Sequence, residues 1–162
     1  MSHFLCYTKL VTQAVIIYLL RNNQVCLGRK MRGHGVGKWN GYGGKLENGE
    51  SPKGATVREL FEESGVRVEE KDLTKVAQIN YKEDKGEWMV YVYTATNFLG
   101  VPQPSEEMEP QWFDLDKIPY SQMWENDKLW LEKIFQGEKF NATFWHDNDG
   151  KILRHEFTPI TV

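Results

Sequence analysis

Cysteine is nearly missing: the 162 residues hold only Cys6 and Cys26. Neither has metal-ligand spacing and Cys26 lies inside an apolar run, which argues against a disulfide framework and for two buried thiols in a reduced compartment. Excess positive charge is missing too. At a formal net charge of -3 the chain has no electrostatic pull on a nucleic-acid polymer, whose binding rests on neutralising many phosphates with Lys and Arg. A free nucleotide remains open, because one metal ion can carry its phosphate charge. Long apolar runs are absent as well. Ala14 to Leu20 is too short to span a bilayer and has no small-residue cleavage site after it, so a cytoplasmic chain without a membrane partner is expected. Of the few histidines, His3, His146 and His155 show no partner pattern and are expected at the surface. No repeat, low-complexity segment or linker divides the chain. With 40% hydrophobic and 27% charged residues, one domain over 1–162, acting as a monomer, is the expectation.

What is present reads as alternating strands and helices. Ala14 to Leu20 and Gln24 to Leu27 are apolar stretches separated by Arg21-Asn22-Asn23, a hairpin turn between two buried strands. Seven glycines, Gly33, Gly35, Gly37, Gly41, Gly43, Gly44 and Gly49, then crowd one short segment, where the backbone must turn tightly or approach something closely. Ser51-Pro52 opens a helix as N-cap and first helical residue, and Gly65 closes it. Val76 to Tyr81 and Trp88 to Thr96 form a second hairpin, turning around Glu83 to Gly86. Pro110 to Leu115 reads as a further strand. Met123 to Phe135 has helical apolar spacing, and Phe140 to Trp145 with Ile152 to Phe157 flank the turn signal Asp147-Asn148-Asp149-Gly150. One amphipathic helix on each side of these strands predicts an α/β sandwich with a mixed sheet between helices 52–64 and 121–135.

The chemistry sits in Arg58-Glu59-Leu60-Phe61-Glu62-Glu63. At about 100° per residue, Glu59, Glu62 and Glu63 share one helix face, while Val57, Leu60 and Phe61 fall on the other, buried one. Like charges at i,i+3 and i,i+4 destabilise a helix by a few tenths of a kcal/mol per pair, so something must offset them. A solvated acidic face is the plain explanation. A hard divalent cation is the functional one: it accepts a few carboxylates and leaves positions for substrate phosphates.

The wider pattern decides between them. Gly44, five residues, Glu50, seven residues, Arg58-Glu59-Leu60, one residue, Glu62-Glu63, one residue and Gly65-Val66 match every defined position of the Nudix signature over 44–66. The chain is therefore identified as resembling the Nudix hydrolases. That resemblance implies the Nudix fold, an α/β/α sandwich, and divalent-metal-dependent cleavage of a phosphate chain. It implies Mg²⁺, with Mn²⁺ as a substitute, on Glu59, Glu62, Glu63 and the backbone carbonyls of Gly43 and Gly44. Glu50 and Arg58 resemble the ion pair that ties the preceding loop to the helix. Such a cation offsets charge on the phosphate oxygens and acidifies water for in-line attack on phosphorus. Glu63 and Glu107 are the two candidates for the general base.

The likeness runs on into a MutT-like branch acting on oxidised purine nucleoside triphosphates such as 8-oxo-dGTP. It is carried by Gly37-Lys38-Trp39-Asn40-Gly41-Tyr42-Gly43-Gly44-Lys45, by Glu106-Glu107-Met108 with Trp112-Phe113, and by Met123-Trp124-Glu125-Asn126-Asp127. By position it implies a base pocket of Asn40, Trp124, Asn126 and Asp127 lined by Tyr81, Met89 and Met108. Glu107 would lie near the metal as a ligand, and Lys30 and Lys45 would contact substrate, with plain solvent exposure as the alternative for Lys45. Two departures stand out: His34 occupies the place of an aromatic pocket residue, and Asn126 that of an aspartate. An amide at 126 donating to O6, beside an ionised Asp127 accepting from N1–H and N2–H, suits a guanine edge better than an adenine edge. Within the same family, a dinucleoside polyphosphate, a nucleotide sugar or a pterin triphosphate is an alternative substrate. A nucleotide-binding module without catalysis is the alternative of another class, which the full carboxylate set opposes.

Overall fold

The computed structural model describes residues 9–160, so Cys6 and His3 lie outside the described residues. Strand β1 (Val11–Arg21) turns directly into β2 (Gln24–Lys30). Asn22 and Asn23 take φ of 51° and 59°, the paired left-handed conformation that a two-residue hairpin turn demands and asparagine tolerates. Two short strands follow, β3 (Trp39–Asn40) and β4 (Tyr42–Lys45), then helix α1 (Pro52–Ser64). The second hairpin is β5 (Thr74–Glu83) with β6 (Gly86–Ala95). Strand β7 (Met108–Asp114) leads through a single 3-10 turn to α2 (Asp127–Phe135), and β8 (Phe140–His146) and β9 (Ile152–Pro159) close the chain.

The strands form one mixed sheet in the order β3-β2-β1-β6-β5-β8-β9, with β4 also on β1 and β7 also on β2. Strand β1 runs parallel to β6, and β5 parallel to β8; the other pairs are antiparallel. Alternation along β1 divides the core in two. Val15, Ile17 and Leu19 pack with Ala55 and Leu60 of α1, while Tyr18 joins Trp130, Leu131 and Ile134 of α2 on the opposite face. The sheet thus lies between the two helices, as the α/β/α sandwich expected from the sequence requires. Cys26 is fully buried on the α1 side, where burial pushes its thiol up to about 11 and leaves it inert. Among the described residues no helix is long and apolar enough to cross a membrane.

Helix α1 begins and ends where its residues dictate. Ser51 Oγ accepts from Gly54 N at 3.0 Å, and Gly65, at φ 75°, donates its N–H to Phe61 O at 2.8 Å. Its faces differ from the expected ones. Leu60 is fully buried, but Phe61 is 43% exposed beneath the Arg67 guanidinium, and Glu63, expected on an outward face, is only 6% exposed. The helix lies so close to β4 that its last turn faces the sheet.

Helix α2 also starts later than the apolar spacing suggested. Asp127 Oδ2 accepts from Trp124 N at 3.1 Å and closes a turn over 124–127, so Met123 to Asn126 form a loop and the helix begins at Asp127. The glycine-rich segment holds strands β3 and β4, which its composition conceals. A side chain at Gly43 would overlap the Val15 carbonyl across the β1–β4 pairing, so only glycine permits this register.

Candidate active site

The site grows from the contact of α1 with β4. Gly43 N donates to Glu63 Oε2 at 3.1 Å, and a Cβ at Gly44 would stand 2.5 Å from Glu59 Oε1. The two glycines therefore let the β4 backbone lie against two of the helix carboxylates. Burial pushes the Glu63 carboxyl up to about 7; the Gly43 N–H opposes the shift, and the nearby Glu59 and Glu107 charges reinforce it. Glu62 stands at the rim with its side chain 55% exposed.

Arg58 organises the same helix. Its Nε and Nη2 grip Glu50 Oε1 and Oε2 at 2.8 and 2.9 Å, and Nη1 reaches Glu59 at 2.8 Å and Glu62 at 3.3 Å. Glu50 Oε2 also accepts from Glu47 N at 2.9 Å, so the pair fixes the loop before α1. The Arg58 fork holds the Glu50 carboxyl at about 2, below its ordinary 4.5. Arg58→Ala should therefore cost about 2–3 kcal/mol, a fall in Tm of roughly 4–10 °C. A depressed carboxylate pKa stabilises above the unfolded value, so the gap from wild type should narrow as pH falls from about 4.5 toward 2. Equal melting temperatures at pH 7 would remove the structural role.

Glu107 approaches from the start of β7. Its carboxylate is bonded to Arg32 Nε at 2.6 Å and to Lys30 Nζ at 3.4 Å, which together hold it below the usual carboxylate range. Lys30 also lowers the Glu63 carboxyl through its charge, and so belongs to the same field.

The donor set suits a hard divalent cation: Glu59, Glu62, Glu63 and Glu107 supply only oxygen, and the Gly43–Gly44 cradle would be filled by any Cβ. Among the described residues no three acidic, histidine or cysteine side chains already converge on one point. Arg58 and Arg32 hold Glu59, Glu62 and Glu107, so a cation bound there would have to draw these carboxylates from their guanidinium partners.

A cavity of about 820 Å³ opens from Gly43 and Gly44 between β1, β6 and the loop before α2. Asn40, Tyr81, Trp124, Asn126 and Asp127 all line it. Met89 and Met108 do not. On β6 the alternation that sends Val90 and Val92 to the α2 face sends Met89 to the other, and Trp88 takes the place in the cavity wall. Met108 is 2% exposed in the α1-side core, over Gly28. Lys45 is exposed, its Nζ 5.2 Å from the Trp88 ring centre, and does not line the cavity.

The Asp127 carboxyl, expected ionised, is held less acidic than an ordinary aspartate. The residue is 4% exposed, and burial pushes its carboxyl up to about 7, against the pull of the Trp124 N–H and the Lys38 charge. Trp124 is braced by His34, stacked at 4.9 Å, and by Lys38 Nζ at 5.0 Å from its ring. His146, expected at the surface, lines the cavity, whereas His155 is exposed. Lys38 lay inside the segment that carries the resemblance but was given no role, while Trp88, Trp130 and His146 carried no motif; only strand parity could have exposed Trp88 and His146.

The chain is similar to known proteins in sequence and in fold. A family model described as NUDIX domain matches residues 10–134. The oxidized purine nucleoside triphosphate hydrolase of Danio rerio is 41% identical over 155 residues, covering 94% of this chain and 96% of its own. Its namesake from Mus musculus is 38% identical over 147 residues, with 90% and 93% covered. A solved mutator MutT protein from Bacillus halodurans superposes with a TM-score of 0.79 at 25% identity, over 93% of this chain and 99% of that one.

Proposed function

The chain belongs to the NUDIX family, and on that premise we propose that it hydrolyses oxidised purine nucleoside triphosphates such as 8-oxo-dGTP to the monophosphate and pyrophosphate, sanitising the nucleotide pool. The observation that carries this reading is one cavity joining two chemistries. The Gly43–Gly44 ridge beside the α1 carboxylates is part of its lining, and Asn40, Asn126 and Asp127 in the same lining offer base-edge hydrogen bonds. A volume of about 820 Å³ accommodates a nucleotide.

Nudix hydrolases use divalent metal ions, and here Glu59, Glu62, Glu63 and Glu107 with the Gly43 and Gly44 carbonyls would hold Mg²⁺ or Mn²⁺. The ion would supply charge neutralisation on the phosphate chain and acidify the attacking water. Lys30 adds fixed positive charge beside the same phosphates. Of the two candidate proton acceptors, Glu107 is stabilised as an anion by Arg32 and Lys30. Burial raises the Glu63 carboxyl, and a cation held beside it would favour its anion as well. Trp124, braced by His34 and Lys38, offers its ring to the base.

A panel of normal and oxidised nucleoside triphosphates, dinucleoside polyphosphates and nucleotide sugars, assayed with Mg²⁺ for monophosphate and pyrophosphate, tests the reading. Oxidised purine triphosphates should give the highest kcat/KM. EDTA should abolish turnover and added Mg²⁺ restore it. Preference for a nucleotide sugar, or full activity in EDTA, would overturn the assignment.

A further inference from the structure

Three buried side-chain polar atoms among the described residues lack a hydrogen-bond partner: Tyr18 Oη, Trp130 Nε1 and His146 Nδ1. Trp130 and His146 both line the cavity. For His146, position adds a second argument. The period of two along β8 places Phe140, Ala142 and Phe144 on the α2 face, each 3% exposed or less, and His146 is next on that face. An apolar residue would continue the pattern. An imidazole stands there instead, its ring centre 5.9 Å from Tyr81 and 6.5 Å from Phe144. The irregularity in the pairing with β9 lies on the β9 side, where Trp145 faces Arg154 and His146 faces Ile152 with Leu153 between them, so the alternation of β8 carries through to His146.

The two ring nitrogens are not equivalent. A proton on the sealed Nδ1 would be a buried donor with no acceptor, the rarer kind of orphan, so the proton of the neutral ring belongs on Nε2. Trp130 Nε1 is a second unpartnered donor in the lining, but the other polar groups near His146 donate poorly. Glu83 and Asp149 are carboxylates, which only accept when ionised, and the Gly150 N–H is already given to Asp147 O at 3.1 Å. The Tyr81 hydroxyl has the Asn126 and Trp130 side chains as its polar neighbours.

We propose that His146 is a specificity-determining residue that donates from Nε2 to the carbonyl which oxidation adds to the five-membered ring of a bound purine. This rests on the functional reading above. With the six-membered edge on Asn126 and Asp127 and the phosphates at Gly43 and Gly44, the C8 edge is left to the third wall. That wall is built by the β5–β6 and β8–β9 hairpins and carries His146. An unmodified purine has only C–H at that position and leaves the donor unmatched.

The test compares kcat/KM for 8-oxo-dGTP and dGTP in wild type, His146→Phe, which keeps an aromatic ring, and His146→Gln, which keeps a donor. The oxidised-to-normal ratio should fall about tenfold in His146→Phe, mainly through KM for the oxidised substrate, and recover in part in His146→Gln. An unchanged ratio, or an equal loss on both substrates, overturns the proposal. A wild-type protein that hydrolyses neither triphosphate defeats the functional reading itself, whereas wild-type turnover with an unchanged ratio in His146→Phe defeats only the role of His146.

Discussion

Glu63→Gln should lower kcat by roughly a thousandfold or more, about 4 kcal/mol of transition-state stabilisation, while leaving the fold intact. The amide matches the carboxylate in shape, and its oxygen can still accept from Gly43 N, a bond of 3.1 Å in the native site. What it removes is the negative charge that a divalent cation and the proton-acceptor role both require. Stability should move the opposite way. The Glu63 carboxyl is raised from 4.5 to about 7, so between those values the folded state binds the proton more tightly than the unfolded chain. Native stability therefore declines as pH rises from about 4.5 to about 7, and at pH 8 the buried charge costs a few kcal/mol. In EDTA at pH 8, Glu63→Gln should melt above wild type, and the difference should vanish near pH 4.5. Near-normal turnover of the variant at saturating Mg²⁺ would mean that the site has been misplaced.

That trade between stability and charge was only half legible in the residues. Ser51-Pro52 and Gly65 announce α1, and Asn22-Asn23 announces its hairpin, because capping and left-handed turns depend on local chemistry alone. The burial of Glu63 is tertiary. It depends on Gly43 and Gly44 having no side chains, which lets β4 close over the last turn of the helix. Apolar spacing likewise extended α2 back through Trp124, because Asp127 reads as a helix residue until its carboxylate is seen bonded to Trp124 N. The loop so formed is what brings Trp124 and Asn126 to the cavity.

Strand parity explains the pocket errors in the same physical terms. Met89 and Trp88 are adjacent, and a shift of one residue exchanges the faces of a strand. Matching a methionine by position therefore selected a residue on the face of β6 turned away from the cavity. His146 escaped notice for the converse reason. A histidine without a sequence partner reads as surface, and only the register of β8 beside β5 sets it against Tyr81.

Base choice should follow from Asn126 and Asp127, and it should depend on pH. A guanine-type edge presents O6 as acceptor and N1–H and N2–H as donors. The Asn126 amide can donate to O6, and an ionised Asp127 accepts from both N–H groups, so this pairing needs Asp127 deprotonated. An adenine-type edge offers a donor at N6 and an acceptor at N1. It is matched only when the Asn126 amide turns its oxygen inward and Asp127 carries a proton to donate. Because burial holds Asp127 at about 7, both states are accessible near neutral pH. Below that value the protonated acid accommodates the adenine edge; above it the anion opposes an N1 acceptor. Preference for an oxidised guanine triphosphate over an oxidised adenine triphosphate should therefore grow as pH rises from 6 to 8. At pH 8 it should reach about 1–3 kcal/mol, or roughly 5- to 150-fold in kcat/KM. Asn126→Asp replaces the fixed amide donor with a group that must be protonated to donate, so the variant should narrow the preference. Comparable kcat/KM for the two substrates across this pH range would sink the proposal, as would an Asn126→Asp variant with unaltered discrimination.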